Sequence, residues 1–243
     1  MSTVEARRAA DGHALARTAQ EYERLRVQSR AWEAATSRLL DHVALAAGAS
    51  CLDAGCGPGE TMRLMAQRVG PSGRVTGVDV DAALCAQAQA MLRDAGHRQC
   101  RFAALDITAD EPIPGVPFDL VYARLLVSHL PDRVAVLRRL WDAVAPGGHL
   151  LIQDYDMRSL AVVPALDSAD ELFRVLVAGL SAAACDVHTG TRLPELFTQA
   201  DSGRGPARHA AAAVLEPPGP SERPEESLRV DGSIRTDAPA RRW

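Results

Sequence analysis

The sequence predicts an α/β protein built on one doubly wound, mostly parallel sheet. Three observations carry that prediction. Five short apolar runs lie between residues 51 and 153, and those after the first are separated by longer segments. Two of these segments repeat their apolar residues at helical intervals. A glycine-rich turn, CLDAGCGPGE over Cys51 to Glu60, leads from the first run into a helix-like stretch.

The elements follow in order. Residues 20 to 46 place Tyr22, Leu25, Trp32, Ala35, Leu39, Leu40 and Val43 at roughly helical spacing, so one or two amphipathic helices precede the glycine turn. The runs Cys51–Ala54, Arg74–Val80, Arg101–Leu105, Phe118–Ala123 and His149–Gln153 read as strands. Asp81 to Ala95 aligns Leu84, Ala88, Met91, Leu92 and Ala95 on one helix face, with Asp81 placed as its N-cap. Asp132 to Ala145 does the same with Val134, Leu137, Leu140, Trp141 and Val144, capped by Asp132 after Pro131. The PGG at 146–148 is read as the stop that turns this helix into the fifth run. Asp170–Leu180 and Pro194–Ala200 read as helices.

The boundaries expected are a flexible N-terminus over 1–19, one domain over 20–200 with an N-terminal helical cap, and a tail over 201–243. The tail holds six Pro and seven Arg, against six residues from the set Val, Ile, Leu, Met, Phe and Trp. It reads as disordered or as a stretch whose reading frame is altered.

Composition narrows the function. With 47% hydrophobic and 24% charged residues, a net charge of -4 and a pI near 6, the chain lacks an electrostatic footprint for nucleic acid. A small-molecule partner is expected. Five scattered cysteines match neither a zinc site nor a disulfide framework and read as reduced thiols. No apolar run approaches the ~18 residues of a spanning helix, so a cytoplasmic protein without membrane association is expected.

Two kinds of cofactor loop compete for Gly55, Gly57 and Gly59. A dinucleotide fingerprint would put its third glycine at position 60, which is Glu60, an acid where a pyrophosphate would be repelled. A nucleoside without phosphates fits better. The acid Asp79 closes the second run, 24 residues after Gly55, where ribose hydroxyls lie in such crevices.

The stretch CLDAGCGPGE closely resembles the first motif of the class I S-adenosylmethionine-dependent methyltransferases, and the order of runs through LRRLWDAVAPGGHLLIQD is similar to that family over residues 20 to 200. The bacterial small-molecule members of the ubiquinone and menaquinone type resemble it most. The resemblance implies a Rossmann-like methyltransferase fold, S-adenosylmethionine as cofactor and a small organic methyl acceptor. It implies cofactor contacts from Asp53, Gly55, Cys56, Gly57 and Gly59, from Asp79 and Val80, from Asp106 and Ile107, and from Arg124. It also implies two C-terminal strands, an antiparallel pair, which the tail is not expected to supply; the run His149–Gln153 would then be an open edge through which copies associate.

Blander readings stand beside these. Asp53 could cap the loop amides, Asp106 could serve only the turn before Thr108, and Cys56 could be a small loop filler. Candidates for a base are His129, Asp154 and Tyr155, each with a structural alternative. Tyr22, Arg26 and Trp32 would fold over the acceptor. No cluster has metal-ligand spacing. Base methylation in nucleic acid is argued against by ARLL at the end of the fourth run, and a catechol-type magnesium site by Arg124. A catalytically impaired cofactor binder and a NAD-dependent oxidoreductase are the competing functions.

Overall fold

The computed structural model describes residues 19–159, 166–201 and 209–215. Two helices come first, α1 (Ala19–Ala31) and α2 (Glu33–Val43). The alternating core follows as β1 (Ser50–Ala54), α3 (Glu60–Val69), β2 (Arg74–Asp79), α4 (Ala82–Asp94), β3 (Cys100–Ala104), β4 (Phe118–Arg124), α5 (Arg133–Asp142) and β5 (Val144–Tyr155). Beyond it lie α6 (Asp167–Ala182), α7 (Thr189–Asp201) and β6 (His209–Leu215). The strands form one sheet in the order β3-β2-β1-β4-β5-β6, and every pairing is parallel.

Apolar side chains cover both faces, as a parallel sheet requires. On one face α5 and α7 pack Leu137, Leu140, Trp141, Leu193 and Phe197 against Leu52, Val121, Leu150 and Ile152. On the other, α2 and α3 pack Leu39, Leu40, Met62 and Met65 against Cys51, Leu120, Tyr122 and Leu151. The caps read from sequence hold: the Asp81 carboxylate accepts from the amides of Ala83 and Leu84, and Asp132 accepts from Ala135. Helix α6 buries none of its residues, and Leu172, Val175 and Leu176 are exposed. Among the described residues no helix is long and apolar enough to cross a membrane.

The structure corrects three expectations. The fifth strand begins at Val144, so Pro146, Gly147 and Gly148 lie within it; they form an irregularity where the pairing jumps from Phe118↔Val144 to Leu120↔His149. Among the described residues the sheet has six strands and not five, because His209–Leu215, inside the stretch read as a tail, pairs with β5 from His149↔His209 to Tyr155↔Leu215. This strand is parallel, where the resemblance implies an antiparallel pair. It also covers the edge His149–Gln153, so the open strand behind the expected self-association does not exist. The reason for the miss is local: HAAAAVL is mostly alanine, which is depleted in strands, and only pairing with β5 makes it one. Residues 1–18, 202–208 and 216–243 lie outside the described residues, with the readings made for them.

Candidate cofactor and acceptor site

The glycine turn is strapped to the neighbouring strand. The amides of Gly55 and Cys56 both donate to the carbonyl of Val78, at 2.8 and 3.1 Å, and Gly59 N donates to Cys56 O at 3.0 Å. All three glycines have positive φ, +70°, +50° and +78°, a region that disfavours any side chain. Their surroundings differ. A Cβ at Gly55 would meet Leu126 at 3.0 Å and one at Gly59 would meet Phe102 at 2.9 Å, so these two serve close packing. A Cβ at Gly57 would meet nothing within 4 Å, which leaves Gly57 as the glycine that faces open crevice.

Asp79, at the end of β2, completes the turn. One carboxylate oxygen accepts from Gly57 N at 3.0 Å and the other from Asp81 N at 3.1 Å. The acid expected at a ribose therefore also holds the loop in place, and Asp81 does the helix capping. Val80 beyond it is exposed. On the next strand end, Asp106 Oδ1 accepts from the amide and hydroxyl of Thr108 at 2.8 and 2.6 Å, the turn role weighed for it, while Ile107 is buried.

The registers Asp53↔Tyr122 and Arg124↔Gln153 put these four residues on one face of the sheet, because strand side chains alternate. There they form a polar cluster beneath α2 and α3. Gln153 Oε1 accepts from Thr36 Oγ1 at 2.9 Å and from Tyr122 OH at 2.5 Å, and Arg124 donates to Thr36 Oγ1 at 3.0 Å. Burial pushes the Tyr122 phenol up to about 12, so it stays a donor. Two atoms here are buried without a hydrogen-bond partner among the described residues: Asp53 Oδ2 and Gln153 Nε2. Asp53 is 2% exposed, and burial raises its carboxyl to about 7, opposed by Arg124 and reinforced by Asp79. Such an acid suits a cationic partner: an incoming ammonium would lower its pKa and satisfy its orphan oxygen.

The cap helix is tied to the turn through Glu60, the acid that had argued against a pyrophosphate. Arg26 of α1 lies 3.4 Å from Glu60, and Arg63, which also reaches Glu33 at 2.6 Å, lies 3.3 Å from it. Tyr22 is half-buried, and Trp32 sits at the junction of α1 and α2, its carbonyl accepting from Thr36 N.

The candidate bases sit in structural settings. Asp154 is fully buried and accepts from the amides of Ser128 and Tyr155, both at 3.0 Å. Burial raises its carboxyl to about 6 against these bonds. Tyr155 OH meets Cys185 Sγ at 3.2 Å, and His129 is half-buried in a short 3-10 turn, Val127–His129. Sequence reasoning missed Thr36 and Gln153, which have no motif. The Asp156 carboxyl, held well below its ordinary range by Arg158 first of all, binds His188 Nδ1 at 2.9 Å and the Thr191 hydroxyl at 2.5 Å. It thereby joins the end of β5 to the start of α7. Among the described residues no group of His, Cys, Asp or Glu could hold a metal ion.

Residues 51–148 match a family model described as a methyltransferase domain. The chain is 40% identical over 120 residues to a trans-aconitate 2-methyltransferase of Paracidovorax citrulli, covering 49% of this chain and 44% of that one. It is 35% identical over 101 residues to the enzyme of the same name from Escherichia coli, covering 42% and 37%. The chain thus matches less than half the length of these relatives. In structure it is similar to a SAM-dependent methyltransferase of Aquifex aeolicus, with a TM-score of 0.57 and 17% identity over 79% of this chain and 92% of that one. The YcgJ protein of a Bacillus gives 0.54 at 18% identity, over 74% and 70%. Residues 51–148 of this chain thus match a methyltransferase domain, and the chain shares the fold of these two neighbours.

Proposed function

We propose that the protein moves a methyl group from S-adenosylmethionine to a carboxylate oxygen of a small organic acid. The observation that carries the cofactor half is the orphan Asp53 oxygen, buried beside a turn whose Gly57 faces open space. Gly57 and Asp79 would hold the nucleoside, and Asp53 the ammonium of its amino-acid end. Val80 and Ile107 would flank the base, with Asp106 at its rim. When bound, the cofactor supplies an activated methyl on a positively charged sulfur.

The remaining work of this chain is to position the acceptor and keep water out, an effect worth roughly 7 to 11 kcal/mol in favourable cases. Two points support a carboxylic acid as acceptor. The relatives from Paracidovorax citrulli and Escherichia coli, at 40% and 35% identity, are named trans-aconitate 2-methyltransferases. A carboxylate is ionised at neutral pH and attacks without a base, which agrees with the structural engagement of Asp154 and Tyr155.

The test uses methyl-labelled S-adenosylmethionine with a panel of acids that includes trans-aconitate, alongside phenols and amines. Label in a product that alkali releases as methanol is the expected result. Calorimetric binding of S-adenosylhomocysteine with label only in alkali-stable products would overturn the acceptor class, and no binding at all would overturn the cofactor assignment.

A further inference from the structure

The polar cluster beneath α2 offers hydrogen-bond donors that the cofactor reading does not use. Thr36, Tyr122 and Gln153 are fully buried, and Arg124, on the same face of the sheet, is half-buried at the carboxyl end of β4. Chemistry fixes the direction of their bonds. Gln153 Oε1 accepts from Tyr122 OH and from Thr36 Oγ1, so the one hydroxyl proton of Thr36 is spent and its oxygen can only accept. It accepts from Arg124 Nη1 at 3.0 Å. Among the described residues this is the one hydrogen bond of the Arg124 guanidinium, a group with five N–H donors. Turning Oε1 to the two hydroxyls leaves Gln153 Nε2 buried without a partner among the described residues, a cost to stability that a role in placing Arg124 explains.

The backbone holds the arginine at the crevice. Leu125, the next residue, has φ +52°, a region a leucine rarely adopts, and its amide donates to Gln153 O at 2.9 Å. Leu126 then packs on the glycine turn, 3.0 Å from where a Cβ of Gly55 would stand. Strand order sets the side on which Arg124 lies. Asp79 closes β2, Asp53 lies on β1 and Arg124 closes β4, and the three strands are neighbours in that order. A nucleoside with its ribose at Asp79 and its ammonium at Asp53 runs toward β4. Arg124 comes after that ammonium, where the acceptor has to approach.

We propose that Arg124 is a specificity-determining residue: its guanidinium takes a second carboxylate of the acceptor, and Gln153, acting through Thr36, is the positioning residue that aims it. This rests on the reading of the acceptor as an organic acid, and it makes that acid a dicarboxylic or polycarboxylic one. It also takes from the cofactor the contact that the family resemblance implies for Arg124. A guanidinium presents paired N–H groups that match the two oxygens of a carboxylate. One carboxylate is held there while the other meets the methyl.

Calorimetry on the full chain saturated with S-adenosylhomocysteine compares three probes: fumarate, its monoamide fumaramate, and trans-aconitate. The parent should bind fumarate and trans-aconitate about tenfold or more tighter than fumaramate, the worth of a charge-assisted hydrogen bond. Arg124→Gln should erase that preference and bind S-adenosylhomocysteine as the parent does, and Arg124→Lys should restore part of it. Thr36→Val, which keeps the shape and loses the hydroxyl, and Gln153→Leu should lose most of the preference, whereas Thr36→Ser keeps it; circular dichroism checks the fold of each. A merely structural cluster would lower the melting temperature of these variants and leave the ratio of fumarate to fumaramate affinity alone. Equal affinity of the parent for fumarate and fumaramate overturns the proposal. So does an Arg124→Gln protein that loses as much affinity for S-adenosylhomocysteine as for fumarate, since that puts Arg124 on the nucleoside's own carboxylate. If the acids bind with the expected preference and receive no methyl, the acceptor reading fails while Arg124 stands as a carboxylate seat. If the parent fails to bind the nucleoside, the cofactor reading is lost, and the same titrations on the unliganded protein decide the seat.

Discussion

Replacing Asp53 by Asn should move stability and ligand binding in opposite directions. The Asp53 carboxyl is raised by burial from its ordinary value of 3.8 to about 7. The folded state therefore holds this proton more tightly than the unfolded chain does. The associated stability is fully present below about pH 4 and is lost as the pH climbs through about 7. Each pKa unit corresponds to about 1.4 kcal/mol, so ionising Asp53 in the folded state costs on the order of 4 kcal/mol at pH 8. An asparagine is never charged but keeps a polar amide to satisfy, at about 1–3 kcal/mol. A net gain of about 2 kcal/mol at pH 8 remains. At roughly 2–4 °C per kcal/mol for a chain of this size, the variant should melt about 4–8 °C higher than the parent at pH 8, with no gain at pH 5. Thermal unfolding at the two pH values measures this, and Asp154 is common to both proteins and cancels. Calorimetry on the same variant should show weaker S-adenosylhomocysteine binding, because the charge that opposes folding is the one proposed to meet the ligand's ammonium. A gain at pH 5 as large as at pH 8, or unchanged affinity, refutes the assignment.

The glycines of the turn should separate by role: Gly57→Val abolishes nucleoside binding at a folding cost of about 1–2 kcal/mol from its positive φ. Gly59→Ala, whose Cβ would meet Phe102 at 2.9 Å, instead lowers the denaturation midpoint by an amount equivalent to about 1–3 kcal/mol. Asp79→Ala should weaken binding by about 1.5–3 kcal/mol, as for a hydrogen bond to a charged group, and loosen the turn at Gly57, read as faster amide exchange there. Ending the chain at residue 208 removes β6 and leaves the edge His149–Tyr155 unpaired. Size-exclusion chromatography should then show oligomers that the full chain does not form; a monomeric truncated protein with unchanged melting would contradict the role given to β6.

The sequence by itself determined the parts of this protein that depend on short-range chemistry. The strands β1 to β4 read as apolar runs, and α4 and α5 as faces repeating every 3.6 residues with an aspartate cap. The glycine turn was legible because Gly55, Gly57 and Gly59 each need a backbone that only glycine adopts at no steric cost, and that need shows in the letters. The polar cluster of Thr36, Tyr122, Arg124 and Gln153 was not legible, since its members lie far apart in the chain and meet only through strand register. Tertiary structure also decided β6: a run of alanines carries no pairing signal, and the unsatisfied edge of β5 supplies the partner that makes it a strand. Hydrogen bonds between distant segments depend on where the fold brings their donors and acceptors, and that position is written in no local pattern.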